Sequence, residues 1–166
     1  MREIYFAGGC FWGTEKLFRL IPGVVRTTVG YANGHTENPG YRDVCTDTTG
    51  HRETVRVEYD PAAVSLSMLL RAFFLVVDPT VANRQGGDVG SQYQTGVYYT
   101  DPADRPTLEE AFARERQKGG PFCVELLPLR CFYPAEEYHQ DYLTKNPTGY
   151  CHISGAELAA VKKLFE

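Results

Sequence analysis

The sequence predicts an α+β fold: a ferredoxin-like βαββαβ plait with an additional helix and strand and an irregular C-terminal tail. Two observations predict it. Segments that alternate apolar and polar residues, and segments with apolar residues at helical spacing, succeed one another in the order β-α-β-β-α-β. That order is the split βαβ arrangement, which lays two helices on one face of a mainly antiparallel sheet. The segment ends coincide with Asn33-Gly34, Asp60-Pro61 and Asp78-Pro79, turn and stop signals that separate one element from the next.

Taken in order, residues 3–7 read as a short buried strand, and the Gly8-Gly9 pair turns the chain into a helix over 12–21 with Leu17, Phe18 and Ile21 on one face. Val25, Thr27, Val29 and Tyr31 alternate with polar partners as a second strand; after a polar stretch of about 17 residues, Val55, Val57 and Tyr59 mark a third. Val64 to Val77 is apolar on most sides and predicts a largely buried helix, and residues 93–100 alternate as a fourth strand ending at Asp101-Pro102. Thr107 and Glu110 have capping-box spacing ahead of Leu108, Ala111 and Phe112, which predicts a third helix ended by Gly119-Gly120. The apolar run Phe122 to Leu129 predicts a further strand, with Cys123 as inert packing within it. From Cys131 to Ser154 the chain is aromatic and proline-bearing without long periodicity, an irregular tail; Ser154 with Glu157 then starts a short helix carrying Leu158, Val161 and Phe165. One domain over 1–166 is expected, with a core of about 1–130 and a tail of 131–166.

Composition excludes several function classes. The chain has 166 residues, 43% of them hydrophobic, and a formal net charge of -4, so it offers neither a basic footprint for nucleic acid nor a polybasic anchor for lipid. The longest apolar run, Met68 to Val77, is interrupted by Arg71 and too short for a bilayer, and Arg2 and Glu3 stand where a secretory segment would be apolar; a cytoplasmic monomer is expected. The five cysteines (10, 45, 123, 131 and 151) are odd in number and lack C-x-x-C spacing, and the four histidines form no zinc pattern, so neither a disulfide framework nor a metal site is expected.

Several residues could carry chemistry. Cys10 follows two glycines at a strand-to-helix turn, where unpaired N–H groups and the helix dipole would lower a thiol pKa; by residue type alone it reads as a small buried hydrophobe. Phe11 and Trp12 could wall an apolar pocket or simply pack in the core. Glu53 shares strand parity with Val55, Val57 and Tyr59, so it points inward unless the strand frays, and burial would hold its carboxyl protonated. Asp88 and Tyr93 lie in a glycine-rich loop that lacks the residues of a phosphate-binding signature, and capping the turn is the commoner role for an aspartate such as Asp88 there. Cys151 follows Asn146-Pro147-Thr148-Gly149 in the tail, either an incidental thiol or one mobile enough to resolve an oxidised sulfur.

Together, Gly-Cys-Phe-Trp-Gly at 9–13, Gly-Tyr at 40–41, His-Arg-Glu at 51–53, Gly-Asp-Val-Gly-Ser-Gln-Tyr at 87–93, Ala-Glu-Glu-Tyr-His-Gln at 135–140 and Asn-Pro-Thr-Gly-Tyr-Cys at 146–151 closely resemble the A-type peptide methionine sulfoxide reductases over nearly the whole chain. The resemblance implies Cys10 as nucleophile, Phe11 and Trp12 as the pocket for the sulfoxide methyl group, and Glu53 as the acid for the sulfoxide oxygen. It further implies Tyr41 and Tyr93 as phenols bonding that oxygen, Asp88 as a carboxylate ordering the site, and Cys151 as the resolving cysteine. The implied substrate is the S epimer of methionine sulfoxide, free or in oxidised proteins; the implied reductant is thioredoxin or a similar dithiol, with no cofactor. Two departures stand out. No cysteine follows position 151, so a Cys10-Cys151 disulfide would itself be the species reduced, and Cys45, Cys123 and Cys131 match no family motif. Tyr150-Cys151-His152-Ile153 also resembles versions fused to a B-type reductase domain. The rival readings are a cysteine hydrolase pairing Cys10 with His51 or His139, and a non-catalytic module whose aromatic pocket binds methionine.

Overall fold

The computed structural model describes residues 1–166. In chain order the elements are β1 (Arg2–Ala7), α1 (Phe11–Arg19), β2 (Val24–Ala32), α2 (Tyr41–Cys45), β3 (Arg52–Tyr59) and α3 (Leu66–Val76). There follow β4 (Arg84–Gln85), β5 (Asp88–Val89), β6 (Gly96–Tyr99), α4 (Arg105–Arg116), β7 (Glu125–Pro128), β8 (Phe132–Pro134), α5 (Tyr142–Lys145) and α6 (Gly155–Leu164). The chain is α+β. Its main sheet has six strands in the order β7-β6-β1-β3-β2-β8, antiparallel except for the parallel β6-β7 pair.

Strand alternation sorts the sheet into two faces. Ile4, Phe6, Val29, Tyr31, Val55, Val57 and Val97 join one core with the helices. There Phe6 stacks on Phe18 of α1 with centroids 4.4 Å apart and lies 5.2 Å from Phe73 of α3, so both helices cover the same face. Val25 does not follow the expected alternation: a register shift between Val24 and Arg26 turns it out to 60% exposure.

The opposite face is concave, as chain reach requires. Only Leu129, Arg130 and Cys131 link β7 at one sheet edge to β8 at the other. A flat six-stranded sheet would separate its outer strands by about 24 Å, whereas that link spans at most about 14 Å. The sheet therefore rolls. Across the roll, Arg52 of β3 bonds both carboxylate oxygens of Glu125 of β7 at 3.0 Å, and the Tyr98 hydroxyl donates to Glu125 Oε1 at 2.8 Å. Glycine makes the concave face passable at Gly30, where a Cβ would stand 2.5 Å from the Tyr133 carbonyl and 2.6 Å from the Phe132 ring.

Three expectations are corrected. Thr107 is not an N-cap: Asp101 accepts the Ala103 N–H at 2.9 Å and starts a 3-10 turn that runs into α4, leaving Thr107 inside the helix. Cys123 lies before β7 rather than in it, its N–H donated to Pro79 O at 2.6 Å. The tail is less irregular than expected, because β8 extends the sheet and Ile153 and Val161 are buried in the main core. Its last helix is started as predicted: Ser154 Oγ accepts the Glu157 N–H and Glu157 Oε1 accepts the Ser154 N–H, each at 3.1 Å. No helix is long and apolar enough to cross a membrane.

Candidate active site

The site assembles where β1 gives way to α1. Gly9 takes φ +93°, a conformation glycine adopts without strain, and the turn leaves Cys10 as the N-cap of α1. A helix start leaves N–H groups without intrahelical partners. Glu53 takes one of them, its Oε1 accepting the Phe11 N–H at 3.1 Å, while the Trp12 and Gly13 N–H groups face the Cys10 sulfur. A thiol and a carboxyl are thus brought together at the first turn of one helix.

Both groups are buried, Cys10 at 7% and Glu53 at 2% exposure. Burial pushes the Glu53 carboxyl up to about 8, opposed by the Phe11 N–H and reinforced by the charge of Asp88. It is a neutral acid at physiological pH, as strand parity predicts. The expectation for Cys10 is overturned: its thiol is raised, first by burial and then by the charge of Glu53, and the Trp12 and Gly13 N–H groups only partly offset this. The helix N-terminus is present, but desolvation outweighs it.

Tyr41, at the start of α2, and Tyr93, in the 3-10 turn Ser91–Tyr93, are half-buried, and both phenols are raised by burial. Negative charge on Glu53 or Cys10, were either ionised, would raise both further. Asp88, in the small β4-β5 hairpin, acts by its charge on Cys10 and Glu53 and accepts the Tyr150 hydroxyl at 2.9 Å. The structure therefore brings Cys10, Glu53, Tyr41, Tyr93 and Asp88 into one neighbourhood.

Phe11 and Trp12 divide their work. Phe11 is buried at 1% exposure, 5.8 Å from Tyr31 and 5.2 Å from His139. Trp12 is half-buried and fixed twice: its ring stacks on Tyr142 at 3.8 Å and 7°, and its indole N–H donates to His139 Nδ1 at 3.0 Å. His139 lies in turn 4.6 Å from the Tyr41 ring. Glu136 ties the same wall together, accepting the Tyr31 hydroxyl at 3.0 Å and the Tyr41 N–H at 3.1 Å. Glu136, Tyr142 and Tyr150 carry no role in the sequence reading, and His139 enters it only as the base of the hydrolase rival, although the 135–140 and 146–151 motifs contain Glu136, His139 and Tyr150. For Glu136, His139 and Tyr150 the signal was motif membership; Tyr142 had none, and periodicity gives none in a segment of short turns.

Cys151 Sγ lies over the first turn of α1, 3.2 Å from where a Gly13 Cβ would stand, and Cys10 and Cys151 are both free thiols. Cys45, Cys123 and Cys131 are free as well. Cys123 and Cys131 donate to the Thr80 and Gly34 carbonyls at 3.7 and 3.8 Å. Neither histidine of the hydrolase rival is free to serve Cys10 as a base. His51 Nδ1 accepts the Gly34 N–H at 3.1 Å with Nε2 2.7 Å from Thr36 O, and His139 Nδ1 is taken by Trp12. No group of three or more His, Cys, Asp or Glu side chains could hold a metal ion.

A sequence model described as peptide methionine sulfoxide reductase matches residues 2–165. A protein of Clostridium acetobutylicum named peptide methionine sulfoxide reductase MsrA is 55% identical over 92% of this chain and 95% of its own length. Among solved structures, Mxr1 from Saccharomyces cerevisiae in reduced form is 38% identical with a TM-score of 0.87, over 92% of this chain and 91% of that one. Mxr1 in complex with Trx2 is 26% identical with a TM-score of 0.60, over 85% of this chain and 84% of that one.

Proposed function

The chain belongs to the peptide methionine sulfoxide reductase family and is an enzyme of that class; from that premise we propose that Cys10 is its nucleophile and Glu53 its acid, acting on the S epimer of methionine sulfoxide, free or in proteins. The observation that carries the proposal is the Glu53 carboxyl buried on the Phe11 N–H beside the Cys10 thiol, where burial raises its pKa. We also take β6-β1-β3-β2, with α1 and α3 on one face, as the ferredoxin-like plait. In it β1 and β3 are neighbours, Phe6 opposite Val55, so Glu53 lies alongside the turn that leads to Cys10.

Sulfur attack on a sulfoxide places negative charge on its oxygen, and a donor aimed there stabilises the transition state more than the ground state. The Glu53 proton goes to the oxygen, and the Cys10 proton, too firmly held for a free thiolate, passes to the carboxylate as the sulfur–sulfur contact forms. Tyr41 and Tyr93, kept neutral by their raised pKa values, donate to the same oxygen. The fixed Trp12 and buried Phe11 receive the methyl group, and Asp88 orders the site through Tyr150. Methionine departs and leaves Cys10 as a sulfenic acid. Cys151 attacks it, and the resulting Cys10-Cys151 disulfide is reduced by thioredoxin; the solved complex of Mxr1 with Trx2 supports that partner.

The test is single turnover with separated sulfoxide epimers, followed by mapping of the disulfide. One epimer is reduced and a Cys10-Cys151 bond accumulates in the parent protein, whereas Cys10→Ser produces no methionine. Turnover surviving in Cys10→Ser would exclude Cys10 as the nucleophile.

A further inference from the structure

The segment that carries Cys151 lacks the usual means of holding a chain in place. Tyr150 to Ile153 lie outside every helix and strand and take part in no backbone–backbone hydrogen bond. Side chains hold it instead: Tyr150 donates to Asp88 at 2.9 Å, Ile153 is buried at 4% exposure, and His152 Nε2 lies 2.8 Å from the Gly8 carbonyl. Of these anchors, His152 is the one that meets the turn bearing Cys10.

The contact is shaped as well as polar. A Cβ at Gly9 would stand 3.1 Å from His152 Nε2, and one at Gly13 would stand 2.9 Å from Nδ1 and 3.2 Å from Cys151 Sγ. The imidazole therefore occupies the space left by glycines on either side of Cys10, with the Cys151 sulfur next to it. Gly8 O can only accept, so Nε2 carries the proton. Nδ1, buried and without a partner, is then a bare acceptor in the neutral ring. Burial lowers the ring's pKa against the Gly8 carbonyl and the charges of Asp88 and Glu157, which keeps it neutral near pH 7.

We propose that His152 is the positioning residue of the disulfide-forming step: its Nε2–H, donated to Gly8 O, latches the tail onto the Cys10 turn and holds Cys151 over the first turn of α1. This rests on Cys151 being the resolving cysteine. In that step the Cys151 thiol loses its proton and its sulfur attacks the sulfenic sulfur of Cys10. The sulfur–oxygen bond breaks and the hydroxyl leaves with a proton as water; the Cys10 sulfur is reduced and the Cys151 sulfur oxidised. The latch raises the fraction of molecules in which the two sulfurs can meet. Sulfoxide reduction, which uses Cys10, Glu53 and the groups around the sulfoxide but not Cys151, proceeds without it.

The experiment uses the reduced full-length chain, one equivalent of a reactive methionine sulfoxide and rapid quench, following methionine formation and the Cys10-Cys151 disulfide separately. His152→Leu keeps bulk and removes the donor, whereas His152→Gln keeps an amide donor at a similar reach. Loss of one net hydrogen bond predicts disulfide formation about tenfold slower in His152→Leu, with methionine formation unchanged and His152→Gln within about twofold of the parent. Disulfide formation at the parent rate in His152→Leu, or equal slowing in His152→Gln, overturns the latch. Nitrogen NMR of the reduced parent tests it without any variant: the proton resides on Nε2, and an Nδ1–H tautomer refutes it. A parent that forms methionine but no Cys10-Cys151 disulfide refutes the resolving role of Cys151 itself.

Discussion

Glu53 performs two tasks that pH separates: it accepts the Phe11 N–H that α1 leaves unpaired, and it holds a proton at neutrality. Glu53→Gln keeps the first and removes the second, so single-turnover reduction at pH 7 should slow by about 10²- to 10⁴-fold. The parent rate should fall as pH rises through about 8, where Glu53 ionises, and the variant should lack that limb. Stability carries the same signature. A carboxyl whose folded pKa exceeds its unfolded value keeps a proton that the unfolded chain has released. The parent therefore loses stability as pH rises from 4.5 to about 8 and is level beyond. Thermal melts at pH 5 and pH 9 should show Glu53→Gln losing less stability than the parent across this range, by on the order of 4 kcal/mol; equal pH slopes would show that the buried proton is not on Glu53. Parity alone made the direction of Glu53 legible, since alternation is a property of the strand itself. The raised thiol of Cys10 was not legible, because the sequence displays the helix start but not what covers it.

The first turn of α1 receives a second chain segment, and Gly13 is where that segment comes closest to it. Alanine there would favour the helix by up to about 1 kcal/mol, but its Cβ would stand 2.9 Å from His152 Nδ1 and 3.2 Å from Cys151 Sγ. For Gly13→Ala the tail must shift, and disulfide formation should slow several-fold relative to methionine release; quench experiments that find their ratio unchanged would show the close approach to be unimportant. Elements with strong period or caps were legible, including α3 and the Ser154–Glu157 start of α6. The five-residue α2 was not, because so short a helix shows no period within its polar stretch. The misassigned Thr107 cap has a related cause: its spacing with Glu110 also suits a helix interior, and Asp101-Pro102 had already started the turn.

Closure of the rolled sheet depends on Asn33, at the end of β2. Its Oδ1 accepts the Arg130 and Cys131 N–H groups at 2.7 and 3.4 Å, and its Nδ2 donates to Pro128 O at 3.2 Å, tying the link between the two sheet edges. Asn33 is also buried at φ 57°, where asparagine is tolerated better than alanine. Asn33→Ala should therefore cost about 3 kcal/mol and lower Tm by roughly 6–12 °C; a calorimetric shift under 2 °C would mean the roll is held elsewhere. Several features followed from the sequence by itself: the α+β class, the main strands and helices up to α4, the inward side of Glu53, and the motif around Cys10. Each is written locally, in periodicity and turn residues. Tertiary structure alone decided that desolvation outweighs the helix terminus at Cys10, that the sheet rolls, and that the tail is latched across Gly9 and Gly13. These depend on contacts between residues far apart in the chain, where the path of the connections and close packing choose the neighbours.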